Sequence, residues 1–191
     1  MNQTFILWTI FFIRVLSSFD STGGTLITKE ESSLESAVIS GITCTNDDSK
    51  LILRNVPDTP GIAAKILSPI SDAGIDIDVI VQNVGLDKLT DFTFTVKNDH
   101  SDEAAKILSN LVKTLGGGEI ELVNDISKVS VVGVGMKSHA GVAAQMFKAL
   151  ADKQINIDMI STSEIKISVV VSKDKAEAAV KALHDEFELD K

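Results

Sequence analysis

One stretch of this chain occurs twice, and that repetition limits its possible folds more than any other feature. Lys50 aligns with Lys128, Gly61-Ile62-Ala63-Ala64 with Gly141-Val142-Ala143-Ala144, and the run Ile75 to Ile80 with Ile155 to Ile160. A small insertion in the turn ahead of the helix accounts for the shift between these landmarks. An internal duplication on this scale implies two copies of one small domain. Two copies create a pseudo-symmetric interface, and small ligands favour interfaces.

Hydrophobic periodicity gives the plan of each copy. Leu51 to Val56 reads as a strand, and Pro57-Asp58-Thr59-Pro60-Gly61 as a turn with Pro60 near a helix start. Ile62, Ile66, Leu67 and Ile70 recur at helical spacing to about Ala73, and Gly74 stops the helix. Ile75 to Val81 begins with strict alternation, which predicts a strand with one wet face. Asp91 to Val96 alternates in the same way, a helix over Ile107, Leu108, Leu111 and Leu115 follows, Gly116-Gly117-Gly118 ends it, and Glu119 to Val123 is a fourth strand. The order βαββαβ predicts an α+β, ferredoxin-like fold, with one antiparallel sheet and two helices on one face.

The second copy repeats this with Lys128–Val134, a helix over Val142–Ala151, Ile155–Ser161, Lys166–Val171, and a last helix carrying Ala176, Ala179, Val180, Leu183 and Phe187. No fourth strand follows before Lys191. Ala37 to Ile42 reads as a short strand ahead of the first copy, followed by a turn cluster at Asn46-Asp47-Asp48-Ser49. The strand at Val38 to Thr43 is expected to complete the second sheet, so that the first copy is inserted in sequence within the second. The expected division is an irregular preface over 1–36, one domain over 50–125, and a second made of 37–45 plus 126–191.

Composition excludes several functions. The 191 residues are 44% hydrophobic and 24% charged, enough for two small domains. Each copy, at about 75 residues, is near the lower limit for a self-sufficient core, which favours mutual packing or oligomerisation. The net charge of −9 and pI of about 4.8 leave no basic stripe for nucleic acid. The single cysteine, Cys44, fits a reducing, cytoplasmic compartment, and His100, His139 and His184 have no ligand spacing. The apolar run Phe5 to Ile13 is too short for a membrane span and lacks a preceding Lys or Arg. It reads as a strand or helix cut from a larger core.

Three chemical motifs fail on their residues. Gly133-Val134-Gly135 has Ser138 where a dinucleotide fingerprint needs its third glycine. Gly135-Met136-Lys137-Ser138 imitates the end of a phosphate-binding loop, but its upstream glycine position is Val131. Ser161-Thr162-Ser163-Glu164 and His139 have nothing to orient them as a triad.

A repeated constellation is more useful. Each copy starts a helix at a glycine, Gly61 or Gly141, where a ligand can approach the backbone and free N–H groups can receive a carboxylate. The adjacent strand carries Asp76, Asp78 and Gln82 in the first copy, and Asn156, Asp158, Ser163 and Glu164 in the second. Carboxylates and amides there can receive an ammonium group. Together the two ends could hold a free amino acid; equally, these could be solvated strand residues and helix caps.

Asp58-Thr59-Pro60-Gly61, Val81-Gln82-Asn83, the run Gly133 to Val142, and Ile160 to Ile165 together resemble the paired ACT domains of aspartate kinase. Arg14 to Phe19 and Gly24 to Ile27 resemble the segment joining that family's kinase domain to its regulatory half, and Ala182-Leu183-His184 fits as well. Ala140 stands where many relatives have proline. The family's amino-acid-kinase domain finds no counterpart in these residues, so the resemblance implies no phosphorylation of aspartate by this chain alone. ATP and magnesium would belong to that missing domain, and no cofactor is expected here.

The resemblance further implies a regulatory module that binds threonine, lysine or both and mediates feedback inhibition of L-aspartate phosphorylation. It implies a homodimer through the ACT domains and a full-length aspartate kinase catalytic subunit as partner. Asp58, Gly61, Ile62, Ala63 and Gln82 of one chain would face Asn156 and Ile157 of another. Asp76, Ile77, Asp78, Val142, Ala143, Ser163 and Glu164 would line a second, equivalent position. The alternatives are a dimerising scaffold without ligand, a truncated fragment of the kinase, and an enzyme of another type.

Overall fold

The computed structural model describes residues 13–15, 25–27, 38–85, 87–134 and 141–189. The apolar run before Ile13, the joining-segment residues 16–24, the polar stretch 28–36, and Gly135 to Ala140 with Lys137, Ser138 and His139 lie outside the described residues.

Residues Met1–Ser36 form a unit of their own. In it, β1 (Ile13–Val15) and β2 (Thr25–Ile27) pair antiparallel, with Arg14 opposite Leu26. This corrects the expectation of an irregular preface. Their β-branched residues suit strands, but runs of three are too short to show a period.

The second unit, Ala37–Lys191, holds two four-stranded antiparallel sheets. Its elements are β3 (Val38–Thr45), β4 (Asp48–Pro57), α1 (Ile62–Asp72), β5 (Ile77–Val84), β6 (Leu89–Lys97), α2 (Ser101–Leu115), β7 (Glu119–Val123), β8 (Ile126–Val134), α3 (Val142–Asp152), β9 (Met159–Thr162), β10 (Lys166–Ser172) and α4 (Ala176–Glu186). The first sheet runs β5-β6-β4-β7 and the second β9-β10-β8-β3. The two orders are identical once β3 takes the place of a fourth strand. β3 pairs with β8 from Val38↔Val134 to Thr45↔Lys128, so the first domain is inserted within the second.

Each sheet buries one face beneath its helices. In the first domain Leu51 and Leu53 of β4 and Phe92 and Phe94 of β6 meet Ile62, Ile66 and Ile70 of α1 and Leu108 of α2. In the second, Val129, Val131, Val169 and Val171 meet Met146, Leu150, Ala179 and Leu183. Pro69 sits inside α1. It has no N–H for the Lys65 carbonyl one turn back, so the helix forgoes that bond.

The remaining differences from the sequence expectations have local causes. Only Asn46 and Asp47 separate β3 from β4; Asp48 and Ser49, expected in a turn, begin the strand and are buried. Two lysines neutralise Asp48, Lys97 donating to Oδ1 and Lys128 lying against an Oδ2 that accepts no hydrogen bond among the described residues, and Ser49 bonds Asn98, so polarity at these positions does not mean exposure. β5 and β9 begin later than alternation suggests. The Ile75 amide bonds the Ile70 carbonyl and the Ile155 amide that of Leu150, so both residues close the preceding helix rather than open a strand. The left-handed residue in that closure is Gly74 (φ 74) in the first copy but Gln154 (φ 57) in the second.

Candidate functional site

The two glycines expected at helix starts sit at the N-caps of α1 and α3, in the left-handed conformation at φ 88 (Gly61) and 115 (Gly141). No side-chain hydrogen bond caps either helix among the described residues, and the Ile62 amide donates to the Thr59 carbonyl at 3.0 Å. A β-carbon at either glycine would meet nothing within 4 Å, so glycine is required there by backbone conformation rather than by crowding. Both glycines are exposed, so each helix begins with an electropositive backbone end beside solvent. Asp58 precedes the first and is half-buried, its amide donating to the Lys88 carbonyl at 2.7 Å.

β4 and β5 both pair antiparallel with β6, so they run parallel and their C-terminal ends lie together. Gln82, exposed near the end of β5, therefore shares the end of the sheet that carries Asp58, Gly61, Ile62 and Ala63. The same logic places Ser163 and Glu164, just past β9, at the end that carries Val142 and Ala143. The Ser163 amide bonds the Lys166 carbonyl at 2.8 Å, closing the turn from β9 to β10.

Asp76, Ile77 and Asp78 lie at the opposite end of the first sheet, and Asn156 and Ile157 at the opposite end of the second. At about 3.3 Å per residue, the six steps from Asp76 to Gln82 span roughly 20 Å. One amino acid cannot reach from Gly61 to Asp76 within the same domain. This corrects the expectation that one copy holds both ends of a ligand; a strand's length separates them. Four half-sites result, two at helix starts and two at strand starts.

The strand-start half-sites lie at the junction between the domains. Lys50 of β4 donates to Asp158 at 2.8 Å, and Lys128 of β8 reaches Asp78. Lys50 aligns with Lys128 and Asp78 with Asp158, so the two ion pairs are mirror images, each lysine holding the other domain's carboxylate. The Lys50 side chain is 10% exposed and that of Lys128 is 12%. Lys128 Nζ also lies 2.9 Å from Asp48 Oδ2, and Lys97 donates to Asp48 Oδ1 at 2.9 Å. Burial pushes the Asp48 carboxyl up, but the two ammonium groups outweigh it and leave it below the usual carboxylate range. Burial pushes Lys128 down, but Asp78 and Asp48 together hold it above its ordinary value.

Next to Lys50, a cleft of about 430 Å³ separates β4 and β6 from Asn156 to Met159. Arg54, Asp91 and Glu121 line it, with Arg54 donating to Glu121 at 2.9 Å. Sequence reasoning did not select Lys50, Lys128, Asp48 or Asp158 as a group. The signal was available: a lysine amid apolar strand residues at the same place in both copies.

The fingerprint at Gly133 lacks the adjacent parallel strand that a dinucleotide-binding unit needs: β8 is antiparallel to both its sheet neighbours, β3 and β10, and the parallel strand β9 lies beyond β10. No described helix is long and apolar enough to cross a membrane.

Comparison with known proteins agrees with the duplicated architecture. ACT domain families match residues 51–114 and 129–187. The chain is 58% identical over 179 residues to an aspartate kinase of Pseudomonas fluorescens, covering 93% of this chain and 43% of that protein. Its fold is similar to that of the ligand-free regulatory subunit of aspartate kinase from Thermus thermophilus, with a TM-score of 0.74 and 42% identity, over 78% of this chain and 98% of that one. It belongs to the aspartate kinase family, as a regulatory ACT region. Another aspartokinase structure, of alpha and beta subunits, is similar at 42% identity and a TM-score of 0.74, over 79% of this chain and 99% of the matched chain. The regulatory ACT region spans less than half the length of the curated kinases it matches.

Proposed function

We propose that this chain senses threonine, lysine or both and transmits their level to an aspartate kinase catalytic chain. The observation that carries this reading is the pair of exposed left-handed glycines that start α1 and α3, Gly61 and Gly141, each at the same end of its sheet as an exposed polar residue, Gln82 or Ser163. Backbone N–H groups at a helix start suit an amino acid's carboxylate. The ammonium group needs acceptors, and Asp76, Asp78 and Asn156 lie too far away in the same domain to supply them.

A homodimer solves that problem. Asp58, Gly61, Ile62, Ala63 and Gln82 of one chain meet Asn156 and Ile157 of its partner, and Val142, Ala143, Ser163 and Glu164 meet Asp76, Ile77 and Asp78. In this reading 50–125 is one domain, 37–45 plus 126–191 the other, and 1–36 a remnant of the link to a kinase domain. An effector acts by preferring one arrangement of the dimer. About 1–3 kcal/mol of coupling is typical. The consequence is feedback control of the ATP-dependent phosphorylation of L-aspartate.

The test is calorimetric titration of the purified chain with L-threonine and then L-lysine, with its mass in solution followed in parallel. Saturable binding that tightens a dimer is expected. In Gln82→Ala, binding should weaken by about tenfold while thermal unfolding stays as in the wild type, because Gln82 is exposed. No heat and no change in mass would leave a scaffold without ligand.

A further inference from the structure

The proposed function gives no role to the mirrored lysines. We infer that Lys50 and Lys128 are positioning residues, each of which clamps the strand-start half-site of the other domain and so ties amino-acid occupancy to the docking of the two domains. The ligand consequence rests on the sensing reading above; the clamp itself rests on geometry.

Lys50 meets Asp158 at 2.8 Å, and Asp158 directly follows Asn156 and Ile157. Lys128 meets Asp78, which directly follows Asp76 and Ile77. In the second copy Asp158 lies in the short link between α3 and the edge strand β9; in the first, Asp78 is the second residue of the edge strand β5, next to Ile77, which pairs with Val96. Of the backbone groups in these segments, the Ile75 and Ile155 amides bond back to the helix, and the Asp158 amide bonds the Val170 carbonyl at 2.8 Å. Ile157 and Ile77 are only half-buried and Asn156 and Asp76 are exposed, so packing alone constrains these segments weakly. The lysine from the neighbouring domain supplies the missing constraint. Pulling the domains apart would return both charges to water, so the nearly buried ion pair fixes how the segment sits against the other domain more than it adds to docking stability.

The two clamps share one further property. Lys50 lies on β4, the strand that leads to Asp58 and Gly61, while Lys128 lies on β8, which leads towards Gly141. Each clamp therefore joins a helix-start half-site to a strand-start half-site in one chain. A displacement of Asn156 and Ile157 by a ligand pulls on β4, and one of Asp76 and Ile77 pulls on β8. The repetition of both partners in both copies makes an incidental surface contact a poor explanation.

Amide hydrogen exchange on the full chain, with and without L-threonine or L-lysine, tests the inference. Lys50→Met should speed exchange at 155–160 and leave 75–80 as in the wild type; Lys128→Met should do the reverse. Each should weaken amino-acid binding by about tenfold. Lys50→Arg, and the charge swap of Lys50→Asp with Asp158→Lys, should restore both readouts. Exchange that rises equally in both domains, or does not rise at 155–160 in Lys50→Met, overturns the clamp, as does a swap that restores nothing. If the wild type takes up neither amino acid, the sensing reading fails while the local exchange pattern still decides the clamp.

Discussion

Replacing Asp48 by Asn tests whether charge or shape holds the junction. Asp48 is 3% exposed and its carboxylate faces two ammonium groups, one on a side chain 12% exposed (Lys128) and the other on one 45% exposed (Lys97). Removing one partner of a buried pair costs about 3–5 kcal/mol when the other is left alone. Neither lysine is left alone here, since Lys128 keeps Asp78 and Lys97 keeps Asp47. The Lys97 contact, half in solvent, is worth about 0.5 kcal/mol, and Asn retains one acceptor oxygen. A loss of about 2 kcal/mol follows, or roughly 4–8 °C in Tm for a unit of this size.

The effect carries a pH signature. The carboxyl is held below its ordinary value in the folded chain, so its contribution is complete above an unfolded pKa of about 3.9 and is lost as pH falls through the folded value. Urea unfolding of wild type and variant at neutral pH and again near about pH 2 measures both. A variant within about 0.5 kcal/mol of wild type at neutral pH would refute the electrostatic account. A gap that persisted unchanged in acid would refute it too, since a protonated Asp48 no longer differs in charge from Asn.

Two further substitutions follow from comparing the copies. Thr95 is 1% exposed and its hydroxyl has no hydrogen-bond partner among the described residues, while Val170 opposes Lys128 at the place where Thr95 opposes Lys50. Thr95→Val should stabilise the chain by about 1 kcal/mol in urea unfolding, by removing a stranded polar group. Gln154 holds φ 57 where the first copy has Gly74. Gln154→Gly should raise stability by about 0.5–1 kcal/mol in thermal unfolding, and a lower Tm would show that its side chain matters more than its backbone.

The sequence was a good guide wherever a pattern was repeated or periodic. The duplication located both domains, and Glu119–Val123 appeared as a strand with the expected bounds. The inserted topology followed from one unassigned strand. Reasoning failed where a residue's role depended on something distant. Asp48 and Ser49 resembled turn residues because nothing local shows that Lys97 and Lys128 converge on Asp48. Ile75 and Ile155 continued the strand alternation while belonging to helix exits. Of the candidate site, the helix-start glycines were legible from turn chemistry. The distance between Gly61 and Asp76 was not, because their separation depends on which way β5 runs.

The position of β3 has a consequence for how the chain is made. It leaves the ribosome before the whole of the first domain, yet β8, its one sheet partner among the described residues, follows that domain. With Thr45 paired to Lys128, synthesis at about 5–20 residues per second leaves β3 waiting roughly 4–17 s. Through that interval the first domain can close its own sheet while β3 presents an unmatched edge to every neighbouring nascent chain. The bulge between Ile39 and Gly41 belongs to the pairing with β8 and so forms only when that strand arrives. The interleaved order thus makes the last-formed sheet depend on the first-made strand.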